Sequence, residues 1–444
     1  MDLTAKEALK EKIRRIIDRE GARIIQIGEE VAAHPELGYQ ERRTAALAAE
    51  FLRKTGLPCE TGLALTGVKA QLTGRAAGPT LALIGEMDAL VTPDHPRADP
   101  VSKAAHSCGH NAQIAGLLGA ALGLAESGAM NHLDGAVVFL AVPAEEYVDL
   151  DFRQDLARQG RVHFLGGKPE LIRLGCFDDV DLAVMIHTHA TPEYRIAAVT
   201  ASSNGFLVKK VRFVGRSAHA GVAPHQGVNA LNAAHVAQAA IHAQRETFPD
   251  ADFIRVHFII TRGGDSINAV PAEVRMEIQV RGRTTSALLA AADKVDRALK
   301  AGALAVGAGV EIETLPGYLP LRNDPGLKCL FRENAAILFG ENEFTDAPHR
   351  GGGTDRGDVS QIMPALHPYL AGARGSAHGG DWVIENPELA YLAPAKLLAM
   401  MAVDLLWDGA AAARSVLAEH RPALTKAQYL DLLAGWTSRE WYDG

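Results

Sequence analysis

Cysteine is scarce in this chain: Cys59, Cys108, Cys176 and Cys329 are the only four among 444 residues, and no two form a Cys-x-x-Cys pair. So scattered a set is not a disulfide framework, and it suits a reducing, cytoplasmic setting. An excess of positive charge is also missing. The formal net charge of -8 argues against nucleic acid or an anionic membrane as the main partner. No apolar run approaches the ~20 residues that span a bilayer. Met1 to Glu20 carries charges throughout and lacks an apolar core with a small-residue cleavage site, so a surface helix is expected there, not a signal peptide. There is no internal repeat and no low-complexity tract.

What is present reads as a globular protein, 48% hydrophobic and 22% charged, too long for one ordinary core, so two domains are expected. Ile13 to Ala33 has helical apolar spacing and stops at Pro35; a second helix covers about Arg42 to Lys54. Three continuous apolar runs follow: Leu81–Gly85, Ala136–Val142 and Leu182–Ile186. Such runs are strands covered on both faces, and helices between them predict a parallel or mixed sheet. Each run delivers ionisable groups at its C-terminal end: Glu86 and Asp88, then Glu145 and Glu146, then His187 and His189. That is where open α/β sheets place their ligand crevice. After about Ala198 the pattern changes. Val274 to Val280 alternates with period two, so one face is buried and one polar. The order β-α-β-β-α-β over residues 199–316 predicts a small, inserted α+β domain. Residues 1–198 and 317–444 are expected to form the main α/β domain, a mixed sheet flanked by helices.

Chemistry concentrates in His106-Ser107-Cys108-Gly109-His110-Asn111. Imidazole and thiolate together suit a borderline-soft divalent metal such as zinc. Gly109 lets the backbone turn, and Asn111 is expected to cap the helix that follows. Glu145 and Glu146 leave a strand in different directions, so one can bind a metal while the other moves a proton. Of His187 and His189, one need be a ligand. His378 sits among glycines, where an imidazole is more often functional than packed. The positions of His225, His235, His242 and His257 suit helix or strand surfaces.

These motifs resemble the M20 family of metallopeptidases and amidohydrolases, in its aminoacylase/carboxypeptidase-like branch. That branch includes aminobenzoyl-glutamate, hippurate and auxin-conjugate amidohydrolases. The matching stretches are His34–Gly38, Met87–Leu90, His106–Asn111, Pro143–Glu146, His187, Gly215–Gly221, Asn268–Pro271 and His378, in family order. The resemblance implies a site for one or two divalent ions (Mn2+, Zn2+ or Co2+) held by Cys108, His110, Glu146, His187 and His378. It makes Glu145 the general acid/base and Asp88 a group that orients a ligand from behind. It also implies that the inserted unit is a lid and dimerisation domain, with His219 stabilising an oxyanion in the partner's site and Asn268 binding substrate. Asn111 and Gln113 stand where many members have Asp and His, which resembles the subgroup related to the second subunit of aminobenzoyl-glutamate hydrolase.

The implied reaction is hydrolysis of the amide of an N-acyl or N-aroyl amino acid, a small carboxylate-bearing substrate. The same site suits hydrolytic deamination of an activated aromatic amine, as in the 5-nitroanthranilate aminohydrolase of this family. A non-catalytic binding protein on the same fold is a third possibility. An apparent insertion, Val148 to Leu165, follows the catalytic pair and is rich in Asp and Arg. It is expected to be a loop at the pocket rim or an oligomer contact, with Arg153, Arg158 or Arg161 available to an anionic substrate group.

Overall fold

Nine consecutive buried residues, Asp134–Val142, form a strand inside the principal sheet. The computed structural model, which describes residues 3–444, surrounds it with neighbours on both sides. Strand order is Cys59–Leu63, Gly67–Thr73, Asp134–Val142, Ala76–Glu86, Leu182–Met185 and Ala365–Leu366. The first three pair antiparallel and the remaining three run parallel. The sheet is therefore mixed, and its parallel part holds the uninterrupted apolar runs, as two-sided burial requires.

The helix His110–Ser127 packs on this sheet beside Ala393–Leu406. Both are apolar nearly all round because each lies between the sheet and further helices. The stretch Glu388–Leu406 is long and apolar enough to cross a membrane, but 89% of its apolar window is buried inside the protein, as in a core helix. The N-terminal region differs from expectation. It makes two helices, Leu3–Arg19 and Gly21–Ala33, separated at Glu20. The first is more than a surface helix: Ile13 and Ile17 are fully buried in the core, each worth roughly 1.5–3 kcal/mol of apolar burial. A small second sheet, in the order Phe344–Ala347, Ala197–Thr200, Pro368–Ala371 and His187–His189, belongs to the same unit.

The second compact unit comprises residues 202–321 with 349–357 and 424–444. Its sheet is wholly antiparallel, in the order Arg255–Arg262, Glu273–Gly282, Gly205–Val214, Gly309–Tyr318, Ser438–Asp443. The expected β-α-β-β-α-β order is what the chain builds from Gly205 to Tyr318. The fifth strand comes from a C-terminal segment whose sequence suggested the other unit. Glu273–Gly282 alternates between buried and partly exposed positions. Two helices, Ala230–Ala243 and Thr285–Val306, pack together in this unit, and the buried Lys209 pairs with Asp296 from the second of them.

Candidate metal centre

The loop before His110–Ser127 is shaped by Gly109, whose φ of +100° is a conformation that favours glycine. That turn makes Gly109 the residue that precedes the helix and His110 its first member. Asn111 is therefore inside the first turn and caps nothing. Its amide instead donates to the carbonyl of Gly28 and the hydroxyl of Tyr391.

Donor atoms of Cys108, His110 and His187 lie within 4.8 Å of one another, and so do those of Cys108, Glu146 and His378. The two groups share Cys108. His187 Nε2 is 3.4 Å from Cys108 Sγ, and His378 Nε2 is 3.4 Å from Glu146 Oε1. The hydrogen bonds behind the rings select their tautomers. Nδ1 of His110 is 2.8 Å from the carbonyl oxygen of Asp88 and must donate to it. Nδ1 of His187 donates in the same way to the carbonyl of Thr188 at 2.6 Å. Each ring thus turns its Nε2 toward the donor groups. His110 Nε2 and Glu146 Oε1 are buried without a hydrogen-bond partner. A divalent ion satisfies both, because ligands at about 2.0–2.3 Å lie up to roughly 4.5 Å apart. The donors present therefore fit one or two such ions.

His189 is not part of this arrangement. Its Nδ1 accepts from Thr191 N–H and its Nε2 donates to the carbonyl of Arg195. His106, in the same loop as Cys108, is buried with neither nitrogen hydrogen-bonded. Burial holds its pKa down to about 3, so it is a neutral ring outside both groups. Burial, with Glu146 beside it, pushes the Cys108 thiol up. An ion that takes the thiolate must therefore displace its proton.

The carboxylates surround His110. Glu145 Oε2 is 4.0 Å from its Nε2. Asp88 sits behind the ring, with Oδ1 3.3 Å from Nδ1, and its Oδ2 accepts from the backbone N–H of Glu146. Burial opposes ionisation of Asp88, yet the hydrogen bond and charge of His110 hold it below the usual carboxylate range. Sequence reasoning placed Glu86 at a strand end but gave it no role in the site. Its Oε2 lies 3.1 Å from His110 Nε2, and its carboxylate also takes Lys168 at 2.5 Å and Gln113 at 2.6 Å. The available signal was its place at a buried strand end, two residues before Asp88.

The segment after Glu145 and Glu146 is also different from expectation. It contains a helix, Leu150–Arg158, and Arg153 on it is 1% exposed. Its guanidinium donates to backbone carbonyls inside the protein, so it is not available to substrate. Arg158 is exposed and pairs with Asp155, and Arg161 is exposed. Leu156, Val162, Phe164 and Leu165 supply the apolar burial that holds the segment in place.

In the second unit His219 and Asn268 come together on neighbouring backbone. His219 bridges Ala269, and Ala220 N–H donates to the Asn268 carbonyl. Both side chains are exposed. His219 Nδ1 accepts from the N–H groups of Gly221 and Val222, so Nε2 carries the proton. Asn268 Oδ1 accepts from Ser266, leaving its NH2 as the group to offer.

Residues 202–306 match the model of the M20 peptidase dimerisation domain. Along the chain, the Xaa-Arg dipeptidase of Mus musculus is 28% identical over 431 residues, covering 91% of this chain and 90% of that protein. The N-acyl-L-amino acid amidohydrolase of Geobacillus stearothermophilus is 27% identical over 325 residues, 71% of this chain and 81% of that protein. Among solved structures, a Bacillus subtilis dinuclear metal-binding peptidase from the M20 family superposes with a TM-score of 0.65 at 22% identity, covering 87% of this chain and 98% of that one. The chain therefore carries an M20-type peptidase dimerisation domain at residues 202–306 and is similar along most of its length to the dipeptidase and, in fold, to the M20-family peptidase.

Proposed function

We propose that this protein is a metal-dependent hydrolase of C–N bonds that acts on N-acyl amino acids or dipeptides. The observation that supports this most is the pair of donor groups sharing Cys108 with Glu145 beside them. A divalent ion bound there supplies Lewis acidity toward a carbonyl and toward water. The rest falls to the chain. Cys108, His110 and His187 form one ligand group, and Cys108, Glu146 and His378 the other. Glu145 takes a proton from the attacking water and returns it to the departing amine. Asp88 fixes the His110 ring and the Glu146 backbone together. The relatives named above, an Xaa-Arg dipeptidase and an N-acyl-L-amino acid amidohydrolase, are the basis for the substrate class.

The protonated Nε2 of His219 suits donation to an oxyanion, and the NH2 of Asn268 suits a substrate oxygen. We assign these to a homodimer in which His219 of one protomer reaches the pocket of the other. The dimerisation-domain match supports that reading, as does the edge strand Arg255–Arg262, on which Ile259 and Ile260 are 50% and 43% exposed. The cytoplasm is the proposed location, favoured by four cysteines that are all unpaired.

The test is a panel of N-acyl and N-aroyl amino acids, dipeptides ending in arginine, and aromatic amines. Each is offered to protein stripped by chelator and reloaded with Mn2+, Zn2+ or Co2+. Metal-dependent release of a free amino acid is the expected result. Ammonia release from aromatic amines alone, or hydrolysis indifferent to chelation, overturns the amide reading.

A further inference from the structure

Glu145 is held by a backbone in an unusual conformation. Ala144, just before it, has φ +55°, which costs a residue with a Cβ on the order of 1–2 kcal/mol. Such strain persists only where the surroundings over-determine it, and here several partners hold the backbone, among them the N–H groups of Gly167 and Val148, which donate to the carbonyls of Ala144 and Glu146. Ala144 N–H donates to Glu41 Oε1 at 2.8 Å. Glu146 N–H donates to Asp88 Oδ2 at 2.8 Å. The two carbonyls that flank Glu145, those of Ala144 and Glu146, both accept from Arg153, which also donates to the carbonyl of Leu165 at 2.7 Å.

We propose that Arg153 is the positioning residue for Glu145: its planar guanidinium grips the backbone on both sides of the catalytic carboxylate and so sets where that carboxylate points. The inference rests on Glu145 being the proton carrier. Several features make the grip specific to arginine. Its donors form a rigid fork, whereas lysine offers one compact ammonium and cannot span three carbonyls. The guanidinium lies over Tyr39 at 5.5 Å and Tyr147 at 6.0 Å from the ring centroids. Tyr39 is fixed in turn by donating to the carbonyls of Phe164 and Gly166. Gly38 leaves the necessary room, since a Cβ there would run into Arg153 Nη2 and lie 2.9 Å from Ala144 Cα. The His34–Gly38 motif and the segment Val148–Leu165 thus meet at one clamp.

Two variants separate positioning from mere structure. Arg153→Lys keeps charge but loses the fork, and Gly38→Ala keeps the guanidinium but displaces it. Each is assayed on the panel compound hydrolysed fastest, with metal content and amide hydrogen exchange of the 144–148 segment measured on the same preparations. We expect kcat to fall about 100-fold, as for a misplaced catalytic group, with KM and metal content within about threefold. Exchange of the Glu146 amide should quicken at least ~10-fold. In a Glu145→Gln background neither variant should lower kcat further. Folded, metal-loaded Arg153→Lys or Gly38→Ala with kcat and exchange within about twofold of the parent overturns the proposal. So does loss of metal or of the folded state in both, which assigns the guanidinium a structural role. If Glu145→Gln alone retains turnover, the functional reading fails, while the exchange measurement still decides whether the clamp exists.

Discussion

In the metal pocket the backbone-facing nitrogens of His110 and His187 donate to carbonyls, while in the second unit the matching nitrogen of His219 accepts from two N–H groups. The same side chain is thereby prepared for opposite work. A carbonyl behind the ring leaves Nε2 as the nitrogen that can bind a cation once its proton is displaced. An N–H behind it leaves Nε2–H, a donor suited to an anion. Burial differs in parallel: His110 is 1% exposed, whereas His219 is exposed. Ring chemistry in this protein is decided by the local backbone, which the residue type alone does not disclose.

The largest separation between the two regions is expected from alanine substitutions. His110→Ala should lose bound metal and with it essentially all turnover. His219→Ala should keep the parent's metal content but lose about 10²–10³-fold in kcat, the usual cost of an oxyanion donor. Metal content and kcat measured on both variants decide it. Metal loss in His219→Ala breaks the contrast.

A smaller effect concerns stability. Burial, with Asp88 nearby, raises the Glu41 pKa to about 8, so the folded protein holds a proton that the unfolded chain releases near 4.5. The stabilisation from that proton is complete below about pH 4.5 and is lost as pH rises through about 8. Thermal unfolding followed from pH 5 to 9 should show a falling Tm, and Glu41→Gln, which resembles the protonated side chain, should flatten that fall. An unchanged slope removes Glu41 from the account.

Much of this was legible in the sequence, for identifiable reasons. Continuous apolar runs and strict alternation marked the sheets of the two units, because burial on one face or two leaves a period in the chain. The five proposed ligands stood at strand ends or in glycine-rich loops. Other features depend on three-dimensional neighbours. Arg153 looked like a surface charge because nothing in an Asp/Arg-rich segment reveals three waiting carbonyls. Asn111 looked like a helix cap because the positive φ of Gly109, two residues earlier, cannot be read from composition. Glu86 was visible only as part of a strand end, since Lys168 and Gln113 meet it from distant positions.

The central claim is that metal binding and proton transfer belong to adjacent but separate glutamates, and Glu145→Gln and Glu146→Gln test it most directly. Metal per protomer and single-turnover rate are measured on the same preparations of each. The account predicts that Glu145→Gln retains its metal and loses roughly 10²–10⁴-fold in rate, while Glu146→Gln binds less metal. Near-normal turnover in Glu145→Gln, or loss of metal from it, would contradict the account.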